Sequence, residues 1–380
     1  MDKQIAVELP ELSFDKSKLS GLMSVLIDLE KNTSVFVLDT TQQVLLSNNY
    51  TTLSGVSRLT WLALRQFCNA LSSGFYKVVS DLCGRSFSKQ SDRLVYSNID
   101  AVSVYNMVVN RRFGQGLERK QVVKNIKTNV IETLLSQQHT RIPLCDAYSL
   151  LDKMLKENKR CDTLLEASQA KLSGRKLFVQ VVPTNPNKFY SLDRLGFKTG
   201  FVFTHSEYAA KHISFQVCIS FDSLGSALGP PIRFEKGMDD FGLRMNAMFT
   251  ACCNSIKQFE GYRVVTLLEN MQALRLGFVG EFKKDKLTKS KLVKKLCRAK
   301  LKPKVADKVI TSLLMSGSSK HSISSLASSS YESWPKKNHL DLFVALLAES
   351  ANPIYDRPAQ DNIEQVAFKL LSGKLKLHHE

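Results

Sequence analysis

The chain has 380 residues, is 43% hydrophobic, and carries 53 lysines and arginines against 35 acids, a formal net charge of +18 at pH 7. That apolar share supports a sizeable core and excludes wholesale disorder, while the lack of any run of 18 apolar residues excludes a membrane-spanning helix. So large an excess of one sign repels itself, and a polyanion both relieves it and releases counterions on binding, so nucleic acid is the expected partner.

The first residues, MDKQIAVELPELSFDK, hold no apolar secretory segment, so a cytoplasmic location is expected, the host cytoplasm for a phage-encoded protein. Cys68, Cys83, Cys145, Cys161, Cys218, Cys252, Cys253 and Cys297 include no C-x-x-C pair. Tetrahedral zinc sites need such close pairs, so reduced, mostly buried thiols are expected, with no metal and no cofactor.

In chain order, residues 1–56 read as a β-rich segment. Val35, Val37, Thr40 and Val44 to Leu46 are strand formers, and Ser47-Asn48-Asn49 supplies a turn. An amphipathic helix is expected over 59–83, with Leu64, Phe67, Cys68 and Leu71 on one face, a break at Ser72-Ser73-Gly74 and a cap at Gly84. Residues 111–127 then form a first basic patch of Arg111, Arg112, Arg119, Lys120, Lys124 and Lys127 against Glu118. Tyr105, Asn106 and Phe113 stand beside it. Cations interleaved with rings suit a single strand, whose bases stack while its phosphates meet lysine and arginine. A strand is expected over 125–136, and Pro143 opens a helix carrying Ala147, Leu150, Leu151, Met154 and Leu155.

From Lys176 the pattern turns to strands, at 176–182 and 200–204. Ile213, Phe215, Val217, Ile219 and Phe221 then alternate with polar residues and Cys218, predicting one buried and one open sheet face. Gly229-Pro230-Pro231 ends the sheet, and helices follow over 241–258 and 264–282. Residues 283–304 hold eleven basic residues and one acid, Asp285. On a helix over 287–301, Lys291, Lys295, Arg298 and Lys302 fall on one face with Lys294 beside them, and Leu292 and Leu296 on another. Such a helix lays cations along a phosphate chain and anchors by its apolar side. Phosphate contacts of this kind give affinity without sequence choice. Pro303 opens a second helix, ten serines within 316–333 read as a tether, and a helical module closes the chain.

Other motifs carry less. Asp239 and Asp240 with Glu235 would be the ligands of a metal-dependent nuclease, but the aspartates are more simply the start of the helix at 241. Asp240-Phe241-Gly242 lacks the other kinase motifs, and Gly114-Gln115-Gly116 lacks the rest of a dinucleotide fingerprint. His205-Ser206-Glu207 reads as a structural turn past a strand.

Several segments together resemble a known family. They are Leu59 to Phe67 (LTWLALRQF), Val130 to Ser136 followed by a helix, Gly200 to Glu207 (GFVFTHSE), and the closing pair from Asn338 and from Ile363 to Leu371. They look like the phage- and plasmid-associated proteins described as domain of unknown function nine-three-two. The chain departs from that pattern at Val344-Ala345-Leu346-Leu347 and after Cys218, and its 283–304 stretch is more basic. The resemblance implies a mobile-element setting and transfers no catalytic residue.

The sequence therefore predicts an α+β fold: a mixed, mainly antiparallel sheet core with flanking helices, a basic helical extension and a C-terminal helical module. Its expected parts are 1–56, a core at 57–282, the extension at 283–315, a linker at 316–337 and the module at 338–380. The expected function is non-catalytic nucleic-acid binding, DNA in preference to RNA, as single-strand protection or annealing. The sites are Lys291, Lys294, Lys295, Arg298, Lys302, Arg111, Arg112, Phe113, Arg119, Lys120, Lys124 and Lys127. A homo-oligomer, a protein partner of the C-terminal module and no membrane are expected. The alternatives are a coat-like nucleoprotein and a metal-dependent nuclease.

Overall fold

The computed structural model describes residues 6–7, 9–38, 57–82, 98–112, 120–136, 140–157, 165–183, 187–189, 195–207, 213–221, 224–232, 240–259, 261–274, 276, 285–315, 338–352, 354–355 and 357–375. The fold is α+β. Its elements are β1 (Glu11–Asp15), α1 (Leu22–Lys31), β2 (Thr33–Leu38), β3 (Arg58–Leu59), α2 (Trp61–Leu71), α3 (Phe75–Leu82), α4 (Asn98–Arg112), β4 (Lys120–Asn125), β5 (Val130–Ser136) and α5 (Leu144–Lys156). Then follow β6 (Leu165–Ser173), β7 (Lys176–Pro183), β8 (Asn187–Phe189), β9 (Leu195–Ser206), β10 (Ile213–Phe221), β11 (Gly225–Leu228), α6 (Phe241–Lys257), α7 (Gly261–Ala273), α8 (Asp285–Arg298), α9 (Pro303–Met315), α10 (His339–Ser350) and α11 (Arg357–Leu371). A seven-stranded sheet runs β1-β6-β7-β9-β10-β11 with β8 on β9, and a four-stranded sheet runs β2-β4-β5-β3. Its β3–β5 pair is parallel. The chain divides into two compact units, 1–154 with 169–178 and 204–212, and 155–168 with 179–203 and 213–380.

In the first unit, α2 begins where Thr60 accepts the Ala63 amide at 3.1 Å. Its face of Ala63, Leu64, Phe67 and Cys68 is buried with Phe75 and Val79 of α3, Val102, Tyr105 and Val109 of α4, and Val122, Ile131 and Leu134 of the sheet. The break between α2 and α3 falls where the sequence places it, at Gly74 with φ 80°. Gly84 lies outside the described residues. Three local expectations change. Residues 22–31 are helical, with Leu22 and Leu26 an i, i+4 pair that is buried. The expected strand over 125–136 starts at Val130, since Asn125 ends β4 and a turn with Asn129 at φ 55° joins the two as a hairpin. Residues 98–112 form α4, a helix that the sequence analysis did not anticipate.

In the second unit, Phe201, Phe203, Phe215 and Phe249 pack with ring centroids 5.2 Å apart for Phe203–Phe215 and 5.8 Å for Phe201–Phe249. The open face expected for β10 is covered. Gln216 and Cys218 are buried like the apolar residues between them, and the Gln216 side chain donates to the Gly229 carbonyl at 3.1 Å. Gly200 has no room for a side chain: a Cβ there would sit 1.9 Å from the Val181 carbonyl oxygen. The closing helices, expected as a separate module, pack within this unit. α10 is buried on nearly all sides, as a helix apolar all round must be, and lies against α7, α9, α11 and β11. Asn338 and Asp341 form its capping box. The serine-rich stretch lies outside the described residues.

Candidate nucleic-acid interface

The helix α8 and the following α9 form a hairpin packed side by side in the second unit. Two leucines set the orientation of α8: Leu292 and Leu296 are buried, as the sequence predicts for its apolar side. Lys294 and Arg298 are exposed, Lys295 is half-buried, and Lys291 stands in the same helix one residue before Leu292. The face expected to continue to Lys302 stops at Arg298, because the helix ends there. Lys302 is instead an exposed residue in the connection to α9, next to Pro303, whose fixed φ suits a first helical turn.

The connection is a Schellman turn. The Leu301 amide donates to the Leu296 carbonyl at 3.1 Å, and the Lys300 amide to the Cys297 carbonyl at 2.9 Å. Leu296 and Leu301 are both buried, the apolar pair this motif carries. Lys369 of α11 donates to the Ala299 carbonyl at 3.3 Å. Lys294, Arg298, Lys300, Lys302 and Lys304 thus crowd the closed end of the hairpin, all exposed. Among the described residues none of these five side chains has an ion-pair partner. Lys300 and Lys304 were not among the expected sites: one sits in a turn and the other on the next helix, so helical spacing could not group them with Lys294 and Arg298.

Deeper in the unit, α9 is fastened to α10. Lys308 Nζ lies 2.8 Å from Glu349 Oε1, and the Tyr355 hydroxyl donates to that oxygen at 2.6 Å. Glu349 is buried, so this contact holds the hairpin's second helix to the core.

The described residues of the first basic patch lie on α4, on β4 and in the turn after it. Arg111 and Arg112 end α4, with Arg111 exposed. Lys120 and Lys124 lie half-buried on β4, between β2 and β5, and Lys127 is exposed in the turn after it. Phe113 and Arg119 lie outside the described residues. Tyr105 is fully buried and stacked on Phe75, with centroids 6.3 Å apart, so it is a core ring and cannot stack on a base.

The strongest charge cluster of the first unit was not singled out from the sequence. Arg141 makes a two-pronged pair with Glu30 and donates from Nε to Glu207 at 2.8 Å. Arg175 donates from Nε to Glu132, and its Nη1 lies 3.7 Å from Glu207. Glu207 also accepts the Leu144 amide at 2.9 Å, placing a carboxylate at the N-terminus of α5, where the helix dipole favours it. His205 is fully buried, with Nε2 2.9 Å from the Ile142 carbonyl. The segment expected as a structural turn past a strand is thus the end of β9 and the residue after it, with His205 and Glu207 buried. Burial pushes the Glu207 carboxyl up despite Arg141 and Arg175 beside it. Burial likewise works against the charge of Arg141, but hydrogen bonds to Glu30 and Glu207 outweigh it and hold the guanidinium protonated.

Asp240 is the N-cap of α6, accepting the Leu243 amide at 2.9 Å, as the sequence suggests. Asp239 and Glu235 lie outside the described residues. Among the described residues no group of three His, Cys, Asp or Glu side chains gathers as metal ligands, and no helix is long and apolar enough to cross a membrane. No family model, curated protein or solved structure matches the chain.

Proposed function

We propose that this protein binds nucleic acid through phosphate contacts made by the closed end of the α8–α9 hairpin, in a mobile-element setting. The observation that carries the reading is the group of five exposed cations, Lys294, Arg298, Lys300, Lys302 and Lys304, on a buried leucine anchor. A cation held in a salt bridge gains little from a phosphate, whereas one facing water displaces condensed counterions when it meets one. Residues 285–315 contain no aromatic side chain, so the contact reads charge and carries no base information.

Two features that favour a single strand in the sequence have other uses in the structure: Tyr105 is a core residue, and the second face of β10 is covered. Single-stranded DNA protection or annealing rests on the exposed cations, with DNA preferred to RNA and Phe113 as the remaining candidate for stacking on a base. The test is binding of the purified chain to labelled single- and double-stranded DNA and RNA at 50 and 200 mM salt. The expected result is binding to at least one of them at low salt that weakens steeply as salt rises. A log–log slope of about −4.5 on a duplex corresponds to five neutralised phosphates. No binding at either salt would remove the proposal, and cleavage on adding magnesium or manganese would replace it with the nuclease reading.

A further inference from the structure

We infer that Lys300 is a phosphate-binding residue whose place in the turn sacrifices fold stability for contact with the polyanion. This rests on the nucleic-acid reading of the hairpin and adds to it a residue that helical periodicity does not reveal.

Lys300 has φ 88°, the left-handed region that L side chains rarely adopt. It occupies the position after a helix end where glycine is the usual residue, because glycine alone takes this conformation without crowding its Cβ. Among the described residues only Asn129 shares a positive φ without being glycine, and asparagine is the residue type that tolerates it best. Lysine has no such tolerance. A side chain kept at a strained position is most simply explained by what its far end does.

The structural uses of that far end are already taken. Three carbonyls at this helix end are capped without it: Leu296 by the Leu301 amide, Cys297 by the Lys300 amide, and Ala299, just past the helix, by Lys369. The apolar pair of the turn is Leu296 with Leu301. Attraction to the helix dipole remains, but at an exposed position it is small and screened by salt. The Lys300 side chain is exposed and has no partner among the described residues. It lies between Arg298 and Lys302 in the chain, and all three are exposed at the same turn. The left-handed backbone sets its side chain at the turn, where neither helix could present one.

The test compares wild type with K300G and K300R in the full chain, by thermal unfolding at 150 mM salt and by binding to whichever polynucleotide the wild type holds. K300G should raise Tm by about 1 °C, the shift expected when the strain of one left-handed residue is relieved in a chain of this size. It should also weaken binding about tenfold at 50 mM salt and make the salt slope shallower by about 0.9. K300R keeps both strain and charge, so it should bind like wild type with no gain in Tm. A K300G protein that binds as tightly as wild type, or melts below it, overturns the inference and leaves the hairpin reading standing. A wild type that binds no polynucleotide overturns both.

Discussion

The two groups of charges in this molecule solve opposite problems. In the first unit, Glu30, Glu132, Glu207, Arg141 and Arg175 are drawn together largely out of water, and each is held by at least one opposite charge. Around Ala299 in the second unit, five cations face solvent and none is paired among the described residues. Buried charges cost desolvation energy and persist only with partners, so the first group belongs to the fold. Exposed like charges repel one another and hold no partner in the fold, and on the proposed function the second group meets phosphate. Their substitutions should therefore separate cleanly, one acting on stability and the other on binding.

The largest expected effect is Arg175→Met. It leaves Glu132 and Glu207 buried with one fewer countercharge, and chemical denaturation should show a loss of about 3–5 kcal/mol. Wild-type stability in this variant would mean that the network is ornamental. Next comes the triple reversal of Lys294, Arg298 and Lys302 to Glu. Its stability should stay within about 0.5 kcal/mol of wild type, because surface positions tolerate such changes. Its salt slope on a duplex should fall by about 2.7, three contacts at 0.9 each, with affinity lowered equally on unrelated sequences.

A smaller effect separates the members of the buried group. Glu207 has a folded pKa raised above its ordinary value of 4.5, so the folded state holds a proton that the unfolded state has released. Between those two values stability must fall as pH rises, and the share owed to Glu207 is greatest below 4.5 and lost above the folded pKa. Glu207→Gln should remove that decline, seen as a flatter stability profile above pH 4.5 than in wild type. A profile of unchanged slope would place the proton elsewhere. Because three carboxylates share two guanidinia, this substitution should also cost less than Arg175→Met.

What the sequence made legible follows the reach of its signals. The break at Gly74, the helix opened by Pro143, the Asp240 cap and both helices of the basic hairpin rest on local chemistry, and each stands as expected. The α1 helix carries a helical spacing in Leu22 and Leu26, and it was missed because the β-formers from Val35 onward set the reading of the whole first segment. The open face of β10 failed because Gln216 and Cys218 are buried by partners distant in sequence. The buried charge group could not be seen at all, since Glu30 and Glu207 meet Arg141 only after folding. At the candidate interface, Lys294, Lys295, Arg298 and Lys302 were legible as a charge run. Lys300 belongs to the same run, but its place in a turn was not legible, because its φ leaves no trace in spacing.

The most direct measurement is an equilibrium titration of the purified full chain against single- and double-stranded polynucleotides from 50 to 200 mM salt, wild type beside the triple Glu variant. Tight wild-type binding that steepens as salt is lowered, with a distinctly shallower slope in an equally stable variant, is the predicted result. Identical curves for the two proteins, or none for either, would contradict it.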